Sequence, residues 1–384
     1  MLYLESPAGS GQGHGFSTCI KGGKPVACSW DDVNQGEAYA HTLAAFYKAF
    51  PEYSENALYL TGESYFGQSG PNIANWILTH APFNASLPLK GIALGNACWG
   101  GDANTVQCNG PNSDQNDVDM FYGKGLISKK LYQEVYKTCD FPLKGGLHLE
   151  CDAVIEKAFM AVGPHNVYNI YDNCAGAALP ASLAKSGRSM RWLTKQLRAP
   201  LSSPEAVDGQ VEAVSPSESS RRALAEGGYD WSCGGMDATQ KWIVRADVRK
   251  ALHLTTAGQS AFHYKTSGPA SITLYPFLMQ KLRILIYNGD ADACVPYKGN
   301  EEWITSLVDA GDLSEKSAWK PWYTNKSLLH LSAPAGYVTS YTVEKGTPYD
   351  FSFLTIRLAG HMVPTFQPSA ALAFFERFLS AEPF

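Results

Sequence analysis

Ser64 is the residue of this chain best placed by its neighbours to act as a nucleophile. It lies in Gly62-Glu63-Ser64-Tyr65, behind the apolar run Ala57-Leu58-Tyr59-Leu60 and ahead of a helical pattern (Ile73, Ala74, Trp76, Ile77) that follows Pro71. A serine on a sharp strand-to-helix turn presents its hydroxyl above the sheet edge. The backbone N–H of the next residue, here Tyr65, then points at the place where an oxyanion develops. Alone, a serine beside glycine is more often an ordinary turn. A hydroxyl is also a poor nucleophile without a base within hydrogen-bond reach. Two further strand ends supply the missing groups. Arg283-Ile284-Leu285-Ile286-Tyr287 runs into Asn288-Gly289-Asp290-Ala291-Asp292, and Phe353-Leu354-Thr355-Ile356-Arg357-Leu358 runs into Ala359-Gly360-His361-Met362-Val363-Pro364. His361 would take the serine proton and return it to the leaving amine. An aspartate would fix the imidazole tautomer and stabilise its charged form, and spacing alone leaves Asp290 and Asp292 as competitors. His361 is one of nine histidines, and only its strand-end position singles it out.

The elements that must position these groups read as an α/β protein. The chain order Ser, Asp, His is that of the α/β-hydrolase triad, so the expected core is a mostly parallel sheet flanked by helices. Asp31 or Asp32 caps a helix running towards Phe50, with Ala40, Leu43, Ala44 and Tyr47 as its apolar stripe. Leu89 to Leu94 reads as a strand ending at Gly95-Asn96. Ala246 to Leu254, Gly299 to Val308 and a segment from Pro368 read as helices, and the last carries a core stripe through Phe374, Phe375 and Phe378. Trp319 to Thr324 and Tyr337 to Val343 read as a hairpin extending the sheet. From about Cys98 to Val244 strand signals fade and polar loops with short helices (Lys129 to Tyr136, Asp152 to Phe159) take over. The division expected is core at 1–97, an inserted, mainly helical cap at 98–245 and core again at 246–384. An insertion at a strand's C-terminal end covers the catalytic edge of such sheets. The Ser/Pro/Glu-rich stretch within 199–228 buries too little apolar surface to order itself.

Bulk properties narrow the classes. The chain has 384 residues, 45% of them hydrophobic, and a net charge of −5. With no Lys/Arg-rich run, a nucleic-acid or membrane-surface partner is not expected. No apolar run approaches the roughly 18 residues of a spanning helix. Gly9-Ser10-Gly11-Gln12-Gly13-His14-Gly15 lacks the Lys-Ser/Thr ending of a phosphate loop. No C-x-x-C or H-x-H spacing suggests a metal site. Nine cysteines favour an oxidising compartment. Cys19/Cys28, Cys98/Cys108 and Cys139/Cys151 are locally spaced, and closing each loop would contribute about 2–3 kcal/mol. Asn84-Ala85-Ser86 and Asn325-Lys326-Ser327 are N-glycosylation sequons. Met1-Leu2-Tyr3-Leu4 reads as the middle of a strand rather than a signal peptide.

Gly62-Glu63-Ser64-Tyr65, Asn288-Gly289-Asp290-x-Asp292 and Gly360-His361-Met362-Val363-Pro364 resemble the serine carboxypeptidases. So do Glu5-Ser6-Pro7-Ala8-Gly9 and Asp247-Val248-Arg249-Lys250-Ala251-Leu252. The resemblance favours Asp292 over Asp290 in the triad. It implies that Glu63, protonated, pairs with the terminal carboxylate of a peptide, so that the enzyme releases C-terminal residues at acidic pH without a cofactor. The expected partner is a peptide or protein with a free C-terminus, and a homodimer is the assembly it allows. It implies a lysosomal, vacuolar or secreted location and a disulfide between Cys174 and Cys233, leaving Cys294 unpaired. In the family a Gly-Gly-Pro-Gly-Cys block, which supplies the second oxyanion donor, precedes the segment at Met1; this sequence lacks it, and a truncated chain is the expectation. Relatives are cut near the region of Arg221-Arg222, making that pair a candidate processing site. Phe66 stands where the family has a small residue, and Gln68-Ser69-Gly70-Pro71 replaces its usual His-Tyr-Ile-Pro, changes that could distort the elbow. The rival readings are a related acyltransferase using the same triad and a non-catalytic binding or stabilising homologue.

Overall fold

The computed structural model describes residues 1–5, 7–9, 17, 19–100, 108–143, 148–163, 165–172, 191, 241–252, 262–325, 333–345 and 349–384. A small hairpin comes first, β1 (Cys19–Lys21) and β2 (Lys24–Val26), then β3 (Cys28–Asp31) and α1 (Asn34–Ala49). The elbow strand β4 (Leu58–Glu63) leads into α2 (Phe66–Thr79), α3 (Phe83–Ser86) and β5 (Leu89–Gly95). Three helices follow: α4 (Ser113–Gly123), α5 (Lys129–Thr138) and α6 (Leu149–Val162). After α7 (Ala246–Ala251) come β6 (Phe262–Lys265), α8 (Tyr275–Leu278), β7 (Arg283–Gly289) and α9 (Tyr297–Asp309). The chain ends with β8 (Leu313–Trp322), β9 (Gly336–Val343), β10 (Asp350–Ile356), α10 (Val363–Phe366) and α11 (Pro368–Ser380).

The main sheet has six strands in the order β4-β5-β7-β10-β9-β8. β4, β5, β7 and β10 run parallel, while β9 and β8 return antiparallel as a meander. Continuous apolar runs such as Arg283–Tyr287 form central strands because both faces are covered. Alternation decides which face each side chain serves. Ile284, Ile286, Ile92 and Phe353 pack with Leu43 of α1, Ile73 and Ile77 of α2 and Trp303 of α9. Leu285, Tyr287, Leu354 and Ile356 point the other way, against Phe374 and Phe378 of α11. A third buried cluster gathers Val118 and Phe121 of α4, Leu131 and Val135 of α5 and Ile155 and Phe159 of α6 around Ala293, Cys294 and Val295.

Most expected elements form, with shifted ends. β8 starts at Leu313, six residues ahead of the expected Trp319, because Glu315 and Lys316 on its open face hide the alternation. The strand expected at Met1-Leu2-Tyr3-Leu4 does not form. Met1 and Tyr3 are exposed, no neighbouring strand pairs with the run, and of its side chains Leu4 alone reaches the core. Asp31 closes the turn that leads into α1, its Oδ1 accepting from the N–H groups of Val33 (2.9 Å) and Asn34 (2.7 Å), while the N-cap residue, Val33, makes no side-chain cap. Asp32 is no cap but a buried acceptor elsewhere. Disulfides join Cys19–Cys28, Cys98–Cys108 and Cys139–Cys151, and Cys294 is buried outside these three bridges. Cys174, Cys233, the 199–228 stretch, Arg221-Arg222 and most of the Gly9–Gly15 loop lie outside the described residues. Among the described residues no helix is long and apolar enough to cross a membrane.

Candidate active site

Three of the four parallel strands, β4, β7 and β10, end at one edge of the sheet with β5 between the first two, and each releases one of the predicted side chains. Glu63 pairs with Gly95, Gly95 with Tyr287 and Gly289 with Ile356, so the loops after β4, β7 and β10 leave side by side. Ser64 sits directly after β4 with φ of 58°, a left-handed conformation uncommon for a residue with a Cβ. Its backbone is tied on both sides: its N–H donates to Gly95 O (2.9 Å), and its carbonyl accepts from the N–H groups of Gly67 and Cys98 (each 2.9 Å). Such over-determination holds a strained residue in place. The Tyr65 N–H stands at the start of α2, where a helix leaves its first amides without intrahelical partners.

The elbow forms with Phe66 in place. The Phe66 ring lies over two glycines: a Cβ on Gly62 would fall 2.4 Å from its Cδ1, and one on Gly70 2.8 Å from its Cε1. The absent side chains make the room that the bulky one needs. Gln68 is likewise built in. It is fully buried, its Nε2 donates to Pro269 O (3.0 Å), and its Oε1 accepts from the Ser271 N–H (2.8 Å).

Of the two candidate aspartates, Asp292 meets the histidine. His361 Nδ1 and Asp292 Oδ2 are 2.7 Å apart, with the side chains only 4% and 0% exposed. The Asp292 carboxylate also accepts from Asn96 Nδ2 (2.7 Å), the Cys294 N–H (2.7 Å) and the Val295 N–H (3.2 Å). Asp290 turns away, pairing with Lys124 Nζ at 2.9 Å and accepting from the Leu358 N–H at 2.8 Å. The His361 N–H donates to Tyr168 O (2.7 Å), an approach that depends on Gly360, whose Cβ would lie 2.1 Å from that oxygen. With Nδ1 committed to Asp292, Nε2 is the ring nitrogen left for a nucleophile's proton. Among the described residues no hydrogen bond joins the Ser64 hydroxyl to the ring, so the structure closes the carboxylate–imidazole half of the relay and brings the serine to the same edge.

Electrostatics tie Glu63 to this pair. Burial pushes its carboxyl above the ordinary 4.5, the charge of His361 pulls it back, and the charge of Asp292 adds to the rise. Burial of the His361 ring works against its charge, but Asp292, by charge and hydrogen bond, outweighs that with help from Glu63. The net shift is above the ordinary 6.5.

Several residues of the site carry no reactive signature in sequence. Asn96 follows β5 with φ of 40°; besides holding Asp292, its Oδ1 accepts from the Gly289 N–H (3.0 Å). Its visible signal was an asparagine, tolerant of left-handed backbone, at the end of a strand. Tyr168 holds His361 through its main chain, which leaves no trace in side-chain type. Asp32, fully buried, accepts from Tyr65 Oη (3.0 Å), Tyr264 Oη (2.7 Å) and the Ser267 N–H (2.8 Å). It thereby anchors the side chain that follows the nucleophile. Burial raises the Asp32 carboxyl pKa despite these donors. Asn84 and Asn325 are both exposed. Among the described residues no group of three His, Cys, Asp or Glu side chains is placed to hold a metal ion.

Known proteins resemble the chain over its whole length. Serine carboxypeptidase-like 31 of Arabidopsis thaliana is 29% identical over 406 residues, spanning 100% of this chain and 70% of that protein. The lysosomal protective protein of Mus musculus is 28% identical over 403 residues, 100% of this chain and 75% of its own length. Among solved structures, the prohormone-processing carboxypeptidase Kex1(Δ)p from Saccharomyces cerevisiae superposes with a TM-score of 0.52 at 19% identity. It covers 96% of this chain and 71% of its own, and shares the α/β-hydrolase fold. The family profile described as serine carboxypeptidase extends over residues 1–381, taking in the Ser64 elbow, the Asp292 loop and the His361 loop alike, and by that match the chain belongs to the serine carboxypeptidases, a family of hydrolases.

Proposed function

We propose that this protein releases C-terminal residues from peptides through an acyl-enzyme formed on Ser64. The observation that carries the reading is the buried 2.7 Å contact between His361 and Asp292 beside a serine held at φ of 58°. In this reading Ser64 Oγ attacks the scissile carbonyl as Nε2 of His361 takes its proton. Asp292 holds the tautomer and stabilises the imidazolium. The Tyr65 N–H donates to the oxyanion. The protonated His361 then gives its proton to the departing amine, and water repeats the cycle on the ester.

Glu63 makes the site an exopeptidase. A carboxyl that burial holds protonated above its ordinary range can share its proton with a substrate carboxylate. That selects peptides with free C-termini and favours acidic working pH. The segment 98–245 would act as the cap that shapes the substrate pocket. Three disulfides and exposed sequon asparagines at 84 and 325 support an oxidising, lysosomal, vacuolar or secreted setting.

The test pairs a fluorophosphonate probe with two substrates, an N-blocked dipeptide with a free C-terminus and its C-terminal amide. An adduct on Ser64, absent from Ser64→Ala, with release of the terminal amino acid from the acid and not from the amide, is the expected result. Absence of the adduct from the folded protein would sink the catalytic reading. Passage of the acyl group to an added alcohol in preference to water would reassign the chain to acyl transfer.

A further inference from the structure

At the opposite end of the sheet from Ser64 a cleft, about 400 Å³ in volume, opens between the strands and the exit of α11. Its floor is a row of hydroxyls. Ser317 of β8 pairs with Ser340 of β9, and Ser340 pairs with Ser352 of β10, so three serines stand in line on one face of the sheet. Ser352 Oγ and Ser340 Oγ are 3.3 Å apart, while Ser317 Oγ is buried without a hydrogen-bond partner. Around this floor stand four cations, Arg283, Lys316, Lys320 and Arg377, against the two acids Asp350 and Glu382. Lys316 is engaged with Asp350 at 3.0 Å. Arg283 Nη1 donates to the carbonyl of Phe378 at 2.6 Å.

Arg377 is the unusual member. Only 7% of it is exposed. Its Nη2 donates to the carbonyls of Tyr323 (2.7 Å) and Thr324 (3.2 Å), but Nη1 is buried with no partner. Burial lowers its pKa, and the nearby charge of Glu382 works the other way. The two atoms without a partner, Arg377 Nη1 and Ser317 Oγ, belong to residues that line this cleft, and buried polar groups in that state are costly unless something satisfies them. Hydroxyl rows beside lysine and arginine match the several acceptor oxygens of a tetrahedral oxyanion better than the two of a carboxylate. The cleft also exceeds what a bare ion fills, and Phe384 lines it as an apolar wall.

We propose that this cleft binds the phosphate group of a small phosphomonoester, whose organic part lies towards Phe384. Arg283 and Asp350 open β7 and β10, whereas the catalytic loops leave the other ends of those strands. Seven residues of strand at about 3.3 Å each put the two sites some 20 Å apart. Binding here is therefore separable from the chemistry at Ser64.

Calorimetric titration of the full chain with phenyl phosphate, inorganic phosphate and acetate at constant ionic strength tests the proposal. Phenyl phosphate should bind at least tenfold tighter than inorganic phosphate, and acetate not detectably. Lys320 is exposed, so Lys320→Glu should fold normally by circular dichroism while weakening phenyl phosphate at least tenfold, and Ser340→Val should weaken it as well. In the unaltered protein, bound phenyl phosphate should protect Lys320 from amine-directed acetylation. Inorganic phosphate binding as tightly as phenyl phosphate would overturn the ester assignment. No saturable binding of either phosphate, equal binding of acetate, or unchanged affinity in both folded variants would overturn the site.

Discussion

At the scale of single residues, the site depends on how each group is held as much as on its reactivity. Asn96 is the clearest case. Removing its amide in Asn96→Ala takes one donor from Asp292 Oδ2, which keeps its contacts with His361 and Val295, and leaves the Gly289 N–H unpaired. Hydrogen bonds to charged groups are worth about 1.5–3 kcal/mol. Loss of this one should lower kcat by about 10- to 100-fold with little change in KM, read from steady-state hydrolysis of the blocked dipeptide. Glu63 gives a prediction of sign. Its raised pKa means that the protonated form persists above the ordinary carboxylate range and is lost as pH climbs. Glu63→Gln keeps the shape without the titration, so its kcat/KM–pH profile should extend to higher pH than that of the unaltered enzyme. The strand-end positions of Ser64 and His361 were legible from spacing, whereas the choice of Asp292 over Asp290 needed the family resemblance. Asn96 was not legible, because an amide has no reactivity to notice, and Asp31 and Asp32 stayed alternatives because an acid ahead of a helix usually caps it.

At the scale of elements, the β4–α2 elbow is a matched set of one large residue and two absent side chains. Gly62→Ala alone drives a methyl into the Phe66 ring, and overpacking of this kind costs about 1–3 kcal/mol. Phe66→Ala alone leaves a void. The double variant should be less destabilised than the sum of the two, a coupling that urea denaturation of all four proteins measures directly. The sequence showed Phe66 as a departure but could not show which neighbours gave way, since that depends on where the ring lands. Strand and helix identities were readable from apolar periodicity. The ends were less so: α9 begins at Tyr297, two residues before the expected Gly299, and β8 reaches back to Leu313.

At the scale of the whole molecule, two features act together: a sheet covered on both faces and buried titratable groups at one end of it. Glu63, Asp32 and His361 all have folded pKa values above their ordinary ones. Each binds its proton more tightly folded than unfolded, so each contributes stability that is full below its unfolded pKa and lost as pH rises through its folded pKa. The unfolding free energy should therefore fall as pH rises above the ordinary carboxylate and imidazole values, and Glu63→Gln should flatten that slope, as measured by urea midpoints across the range. The overall architecture was legible because three motifs fix the strands that carry them. The run at Met1–Leu4 was read as strand because it is apolar, but an apolar run becomes a strand only where an edge receives it, and among the described residues no strand pairs with it. Asn96 reaches across to both the Asp292 carboxylate and the Gly289 amide, so neither loop can part from the sheet while the other stays. In deuterium-exchange terms, the Gly289, Cys294 and Val295 amides form a single opening unit, with uptake that is late and synchronous. Exchange at one of them well ahead of the others would mean that the fastening is not shared.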